Sequence, residues 1–150
     1  MTHVHHSAIH AHDIEASLRF YRDGLGLPVL MDHEFDGDWR TLFGAPANRL
    51  RSVFLGDPAA ADAGVVELVA FDAEPAGGGN TAPSGPPGRG FFLLSFFVDV
   101  DDTLDRLAGL GLDVAVRRIR VPGPEGDVEM ATLRDPDGVL VELVGAGTAR

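Results

Sequence analysis

Alternation of apolar and polar positions predicts short strands on either side of a single amphipathic helix in the first half of the chain. Segments rich in β-branched and aromatic residues predict strands near 4–11, 28–33, 50–55 and 65–71. Asp13 is a suitable N-cap for a helix whose apolar side chains recur at helical spacing: Ile14, Leu18, Tyr21 and Leu25. Residues 36–47 are predicted to form a loop or a short helix.

The second half of the chain repeats this order of elements. Strands are predicted near 91–98, 114–121 and 128–133, followed by a last strand that contains Glu142. Asp99 is the N-cap candidate of the second helix, and Leu110-Gly111-Leu112 ends it as Leu25-Gly26-Leu27 ends the first. The repeat predicts an α+β fold of two tandem βαβββ modules, residues 1–71 and 91–150.

The segment that joins the two modules has a different composition. Residues 72–90 contain six glycines and four prolines, and no aliphatic side chain larger than alanine. Such a segment has little apolar surface to bury, so we predict a Gly/Pro-rich linker that is weakly ordered.

Each module ends in a strand that carries one carboxylate among apolar residues. Val-Glu-Leu-Val occurs around Glu67 and again around Glu142, where it follows the turn sequence Asp135-Pro-Asp-Gly138. Side chains alternate along a strand, so Glu142 shares a face with Leu140 and Val144. A carboxylate on a buried face requires a partner, a metal ion or a catalytic role.

Composition and charge exclude several functions. The 150 residues are 45% hydrophobic, contain no cysteine and carry a net charge of -11. Disulfides and thiolate chemistry are therefore excluded, and nucleic acid or an anionic membrane is disfavoured as a partner. No apolar stretch approaches the roughly 20 residues that cross a bilayer, and no secretory signal is visible, so we expect a cytoplasmic protein.

The motifs resemble those of the vicinal oxygen chelate superfamily, which includes glyoxalase I, extradiol dioxygenases and bleomycin-resistance proteins. The resemblance covers nearly the whole chain and rests on three segments: residues 6–13 (HSAIHAHD), residues 17–27 (SLRFYRDGLGL) and residues 134–143 (RDPDGVLVEL). It implies two βαβββ modules that form a curved mixed-sheet cup.

The resemblance also implies a metal site. Family members take ligands from the first and last strands of each module, which here correspond to His6, Glu67 and Glu142. The fourth position, seven residues before Asp99, falls on Phe92, with Leu93 beside it, and neither side chain binds metal. One imidazole and two carboxylates suit a divalent ion such as Fe, Mn, Ni or Zn, with an incomplete ligand set. Glu67 and Glu142 are also the candidate catalytic bases.

Further residues are candidates for contact with a substrate. His10 corresponds to a substrate-contacting position of the family, and it lies about 13 Å along the strand from His6, so the two cannot share one ion. Four other side chains could line an apolar cup: Trp39, Phe92, Phe96 and Met130. The remaining histidines are interpreted as solvated or structural: His3, His5, His12 and His33.

The leading hypothesis is a glyoxalase/dioxygenase-like enzyme that acts on a small oxygenated organic molecule through a divalent metal, by isomerase, lyase or ring-opening chemistry. Two alternatives stay open: a metal-free binding protein of the bleomycin-resistance type, and a metal-free enzyme of secondary metabolism that uses Glu67, Glu142 or His10 as acid or base. A homodimer is also expected, because open sheet edges favour pairing and members of the family commonly dimerise.

Overall fold

The computed structural model describes residues 2–73 and 87–146, and the chain forms two compact units, one in each half. The linker was predicted at residues 72–90, and its residues 74–86 lie outside the described residues. No helix in the described part of the chain is long and apolar enough to span a membrane.

The first unit is a four-stranded mixed sheet with helices between its strands. In chain order its elements are β1 (His6–His10), α1 (Ile14–Leu18), a π-helical continuation (Arg19–Gly24), β2 (Val29–Asp36), α2 (Trp39–Phe43), β3 (Arg49–Leu55), a 3₁₀ turn (Pro58–Ala60) and β4 (Val65–Phe71). The strand order is β1-β4-β3-β2, with β1 parallel to β4 and the other pairs antiparallel.

The second unit repeats this topology. Its elements are β5 (Leu94–Phe97), α3 (Val100–Gly109), β6 (Arg117–Gly123), β7 (Gly126–Arg134) and β8 (Leu140–Ala146). The strand order is β5-β8-β7-β6, and again only the first and last strands pair in parallel. The predicted α+β class with two βαβββ modules is confirmed.

Both helices begin at the aspartates that the sequence indicated. Asp13 Oδ1 accepts hydrogen bonds from the backbone amides of Glu15 and Ala16, at 3.0 and 3.2 Å. Asp99 Oδ1 accepts one from Asp102 at 3.0 Å. Each side chain satisfies amides that the first helical turn leaves without partners.

Each sheet packs its helix on one face. In the first unit α1 packs against β4, and Phe20, Leu55 and Leu68 are fully buried. In the second unit α3 packs against β7 and β8, where Leu107 and Leu143 are fully buried. Burying a side chain of this size contributes roughly 1.5–3 kcal/mol, so these faces fix the position of each last strand.

The turn before β8 is held by Asp135. Its Oδ1 accepts hydrogen bonds from the amides of Asp137 at 2.9 Å and Val139 at 2.8 Å, and Gly138 has a φ of 83°. This conformation favours glycine because it has no Cβ. The predicted turn is confirmed, and it sets the start of the strand that carries Glu142.

Two arginines of β6 are bound to acidic side chains on the helix-bearing face. Arg118 and Arg120 both donate to Glu129 of β7, and Arg118 also donates to Asp101 of α3 at 2.6 Å. Arg120, and then Arg118, hold the pKa of Glu129 below its ordinary value of 4.5. These ion pairs connect β6, β7 and α3.

We predict that protonation of Glu129 contributes to the loss of folding stability of this protein at acid pH. Because its pKa is lower in the folded state, the unfolded chain binds more protons just below pH 4.5, and the stabilisation is lost as the pH falls through the folded-state pKa. Glu129→Gln should therefore flatten the decline of the free energy of unfolding below pH 4.5, measured by urea denaturation at several pH values. Glu125→Gln, in the exposed turn before β7, is the control and should leave the steep decline of the wild type unchanged.

Candidate functional site

The face of the first sheet that lies opposite α1 carries the predicted site residues of this unit. β1 and β4 pair in parallel with Ala8 opposite Glu67 and His10 opposite Val69. Side chains two residues apart share a face, so His6, His10 and Glu67 all project to the same side of the sheet. The opposite face, which includes Leu68, is buried under α1.

His6 and Glu67 form a direct pair on this face. His6 Nε2 lies 3.1 Å from Glu67 Oε2, and the side chains are 37% and 14% exposed. Ser52 of β3 donates its hydroxyl to the other carboxylate oxygen, Oε1, at 2.7 Å. Phe54 lies beside the imidazole, with ring centroids 5.4 Å apart. His6 is therefore open to solvent, and Glu67 is held in place by a hydrogen bond from the neighbouring strand.

A second histidine extends this pair. His5 Nδ1 lies 2.6 Å from His6 Nδ1, so one ring nitrogen donates and the other accepts. His5 also contacts Phe54, with ring centroids 6.0 Å apart. Sequence reasoning assigned His5 to a solvated or structural role, and the structure places it beside His6.

His10 and Trp39 belong to a row of aromatic rings at the other end of the same sheet. His10 packs edge-to-face against Phe71 at 5.2 Å, Phe71 meets Phe43 at 6.5 Å, and Phe43 stacks on Trp39 at 5.7 Å. Trp39 Nε1 donates to the backbone oxygen of Phe35 at 3.2 Å. We call His10, Phe71, Phe43 and Trp39 the aromatic row.

In the second unit, Glu142 lies on the face opposite α3. β8 pairs with Ser95 opposite Glu142 and with Met130 opposite Val144, so Met130 shares the face of Glu142. Phe96 pairs with Leu143 and lies on the other face. The prediction that Phe96 lines an apolar cup together with Met130 is therefore corrected: Phe96 is one position from Ser95, the partner of Glu142, so its side chain projects from the face opposite Met130. Phe97, 83% exposed, takes the face of Glu142 instead.

The equivalent of His6 in the second unit is Leu93 and not Phe92. His6 stands two residues before Ala8, the partner of Glu67, and Leu93 stands two residues before Ser95, the partner of Glu142. Counting back from the helix caps gave Phe92, because the connection from strand to cap is one residue shorter in the second unit. Leucine offers no donor atom, so the ligand set stays incomplete.

The distance between His6 and Glu67 fits two ligands of one metal ion. Donor atoms about 2.1 Å from an ion lie roughly 3.0 to 3.4 Å apart, from right-angled to tetrahedral geometry, and the 3.1 Å between Nε2 and Oε2 falls in this range as well as in that of a hydrogen bond. Within residues 2–73 and 87–146, no three His, Asp or Glu side chains cluster in a group that could hold a metal. The first unit thus supplies two donors.

A family model described as the glyoxalase/bleomycin resistance protein/dioxygenase superfamily matches residues 3–143. The chain belongs to this superfamily. It is also 40% identical to the lactoylglutathione lyase-like protein terB of Aspergillus terreus over 148 residues, which cover 94% of this chain and 74% of that protein.

Solved structures show the same fold. A glyoxalase family protein from Bacillus cereus superposes with a TM-score of 0.74 at 18% identity, covering 98% of this chain and 96% of that one. The trypanothione-dependent glyoxalase I of Leishmania major superposes with a TM-score of 0.61 at 22% identity, covering 97% of this chain and 87% of that one.

Sequence reasoning missed Ser52, Phe54, Phe43 and Phe71 as neighbours of the site. A signal for Ser52 was present, since it is a lone hydroxyl in the apolar strand Leu-Arg-Ser-Val-Phe-Leu. The hydrogen bond from Ser52 to Glu67 could not be predicted from the sequence. Ser52 pairs with Val69 and reaches Glu67 diagonally across β3 and β4, a contact that depends on the strand register.

Proposed function

We propose that this protein is a metal-dependent enzyme of the glyoxalase type that acts on a small oxygenated organic molecule. His6 and Glu67 would hold a divalent ion such as Fe, Mn, Ni or Zn, and Glu142 remains the further ligand that the family resemblance implies. The observation that carries the proposal is the His6–Glu67 pair, whose donor atoms lie 3.1 Å apart on the face of the sheet opposite the helix. The name of the Aspergillus relative supports lyase chemistry.

A bound divalent ion would supply Lewis acidity to a substrate carbonyl or enolate oxygen. The residues of the chain divide the remaining tasks. His6 Nε2 and Glu67 Oε2 would hold that ion. A carboxylate oxygen of Glu67 or Glu142 would accept the proton from the carbon next to the carbonyl, and the electron pair of the broken C–H bond would delocalise onto the carbonyl oxygen as an enolate. Phe54 covers one side of the His6 ring and reduces access of water there.

We predict that Glu67→Gln weakens binding of Mn(II), Ni(II) or Zn(II) at least tenfold, since it removes a charged oxygen ligand and keeps the shape of the side chain. Isothermal titration calorimetry of the full chain measures this directly. Glu34→Gln is the matched control, because Glu34 is a strand carboxylate on the opposite face of the same sheet. Equal affinities of the wild type and Glu67→Gln would contradict the proposal.

We also predict that Leu93→His tightens metal binding, whereas Phe92→His does not. An imidazole at residue 93 adds a donor at the position equivalent to His6, and one at residue 92 falls outside that register. The two variants differ by one position and carry the same side chain, so the same titration compares them directly. If only Phe92→His increased the metal affinity, the fourth ligand position would be the one seven residues before Asp99, and the assignment by strand register would be wrong.

A metal-free binding protein of the bleomycin-resistance type is the second candidate, and the aromatic row favours it. Phe43 is 60% exposed while its ring stacks on Trp39. The Trp39 ring is fixed by its hydrogen bond to Phe35, and an added Cβ at Gly37 would lie 2.7 Å from it. A fixed and exposed ring surface suits a planar apolar ligand, because little side-chain entropy is lost on binding.

The single tryptophan of the chain allows this candidate to be tested by fluorescence, since selective indole excitation reports on Trp39 alone. We predict that planar aromatic compounds quench Trp39 emission with saturation, and that Phe43→Ala weakens their binding. Phe35→Leu is the control, because it keeps the backbone oxygen that Trp39 binds. Quenching without saturation in the wild type would argue against a binding site at the aromatic row.

We further propose that the protein is a homodimer. Phe97 and Ile119, which are 83% and 60% exposed, lie on the face of the second sheet that carries Glu142. β6 is also the edge of its sheet. Light scattering at micromolar concentration should give twice the 15.9 kDa of the chain, and Ile119→Lys should shift the mass towards the monomer. A wild-type mass of one chain would contradict this proposal.

A further inference from the structure

Strand β6 carries three arginines, and the alternation of side chains divides them between the two faces of the second sheet. Arg118 and Arg120 lie on the face that packs α3, where both donate to Glu129. Arg117 lies on the face that carries Glu142, and within the described ranges its side chain makes no ion pair or hydrogen bond. Acidic side chains are abundant in a chain of net charge -11, so the position of Arg117 without one calls for an explanation.

Arg117 begins a row of polar side chains that crosses the second sheet. It pairs with Thr132 of β7, Thr132 pairs with Glu142 of β8, and Ser95 of β5 pairs with Glu142 from the other side. Directly paired residues project to the same face with their Cβ atoms about 5 Å apart. We call these four residues the polar row, which spans four strands and is about 14 Å long at the backbone.

The hydrogen-bonding groups of the polar row are not used by the part of the chain that the structure describes. Thr132 and Glu142 are half-buried, and Arg117 and Ser95 are exposed. None of these four side chains bonds to another described residue. In the first unit, Glu67 is already engaged by His6 and Ser52. A half-buried carboxylate gains from a donor that replaces its lost hydration, so Glu142 is the carboxylate that suits an external ligand.

The charges of Arg117 and Glu142 set the polarity of a ligand that lies along the row. Arg117 presents its N–H donors in a planar fork that matches a carboxylate. Ionised Glu142 only accepts hydrogen bonds, so it repels a carboxylate and suits a hydroxyl. Their backbones are two strand spacings apart, about 10 Å, and the long side chain of Arg117 shortens this gap. A small organic acid with a hydroxyl group remote from its carboxylate fits this arrangement.

The neighbours of the polar row on the same face leave this arrangement intact. Arg134, two positions after Thr132, donates to the backbone oxygen of Gly138 at 3.1 Å and is held by the turn before β8. The next row on the other side is apolar and consists of Ile119, Met130, Val144 and Phe97. This apolar row, about 7 Å away along the strands, includes the residues of the proposed dimer contact. The polar row therefore borders that contact.

We propose that the polar row is a binding site for a hydroxylated organic acid. Arg117 binds the carboxylate of the ligand, and Glu142 accepts a hydrogen bond from its hydroxyl. Thr132 and Ser95 flank Glu142 and supply two further hydroxyls to the polar groups of the ligand. The site needs neither a metal ion nor the His6–Glu67 pair, so it goes beyond the proposed function and is tested separately from it.

Three related probes divide the ligand into its two polar groups. The first, para-hydroxybenzoate, carries both groups, benzoate lacks the hydroxyl, and phenol lacks the carboxylate. Titrations are followed in ¹H–¹⁵N NMR spectra of the full-length protein, with excess EDTA to remove metal ions. We expect para-hydroxybenzoate to bind most tightly of the three and to shift the amide signals of Arg117, Thr132 and Glu142 with saturation. Shifts that stay linear, or that occur only elsewhere in the chain, would overturn the proposal.

The carboxylate end is tested by Arg117→Gln. It should weaken the binding of para-hydroxybenzoate and of benzoate roughly tenfold, because hydrogen bonds between charged partners are lost, and it should leave phenol unchanged. Arg117→Lys keeps the charge without the planar fork and should give an intermediate affinity. Arg118→Gln is the matched control, since it removes the same charge one residue along the strand and on the opposite face. Equal losses in Arg117→Gln and Arg118→Gln would overturn the role of Arg117.

The hydroxyl end is tested by Glu142→Leu, which removes the acceptor. The advantage of para-hydroxybenzoate over benzoate should disappear, while benzoate itself should bind at least as tightly as in the wild type because a repelling charge is gone. Glu142→Gln serves if the leucine variant fails to fold, with a smaller change in the same direction. An unchanged preference for para-hydroxybenzoate would overturn the role of Glu142. Because EDTA is present throughout, a failure of metal binding at His6 and Glu67 leaves these results unaffected, and the reverse also holds.

Discussion

Parallel pairing between the first and last strand of each unit is the constraint on which the rest of the structure depends. β1 pairs with β4 and β5 pairs with β8, and in each pair the last strand carries one carboxylate. The helix that connects the first strand to the rest of the sheet covers one face, and buried side chains such as Leu68 and Leu143 fill it. Because strand side chains alternate, Glu67 and Glu142 must project from the other face.

The two units share this framework and differ in how they complete it. In the first unit, His6 and Ser52 approach Glu67 from the neighbouring strands on either side. In the second unit, Leu93 and Met130 occupy the equivalent positions and neither has a polar hydrogen to donate, whereas Ser95 and Thr132 lie directly opposite Glu142. The two carboxylates therefore occupy matching places in the two sheets, with different polar neighbours.

The face that carries Glu67 combines two kinds of chemistry along its length. One end has the imidazole and carboxylate of His6 and Glu67, which suit oxygen-rich groups or an ion. The other end has the aromatic row from His10 to Trp39, which suits apolar rings. The distance of about 13 Å along β1 between His6 and His10 separates the two ends.

The sequence by itself determined the fold class, the order of elements, both helix caps and the turn at Asp135. These features follow from local chemistry: periodicity, capping side chains and glycine at positive φ. The family and the equivalent strand positions of Glu67 and Glu142 could also be inferred from the sequence, because the strand pattern and the surrounding motifs are local features.

Tertiary structure alone decided which side chains meet. Strand register moved the position equivalent to His6 from Phe92 to Leu93 and put Phe96 on the face opposite Glu142, because a shift of one residue reverses the face of every side chain. It also brought Ser52 to Glu67 across two strands, and it joined Trp39 to His10 through two phenylalanines. Contacts between distant segments depend on pairing and packing, which periodicity does not encode.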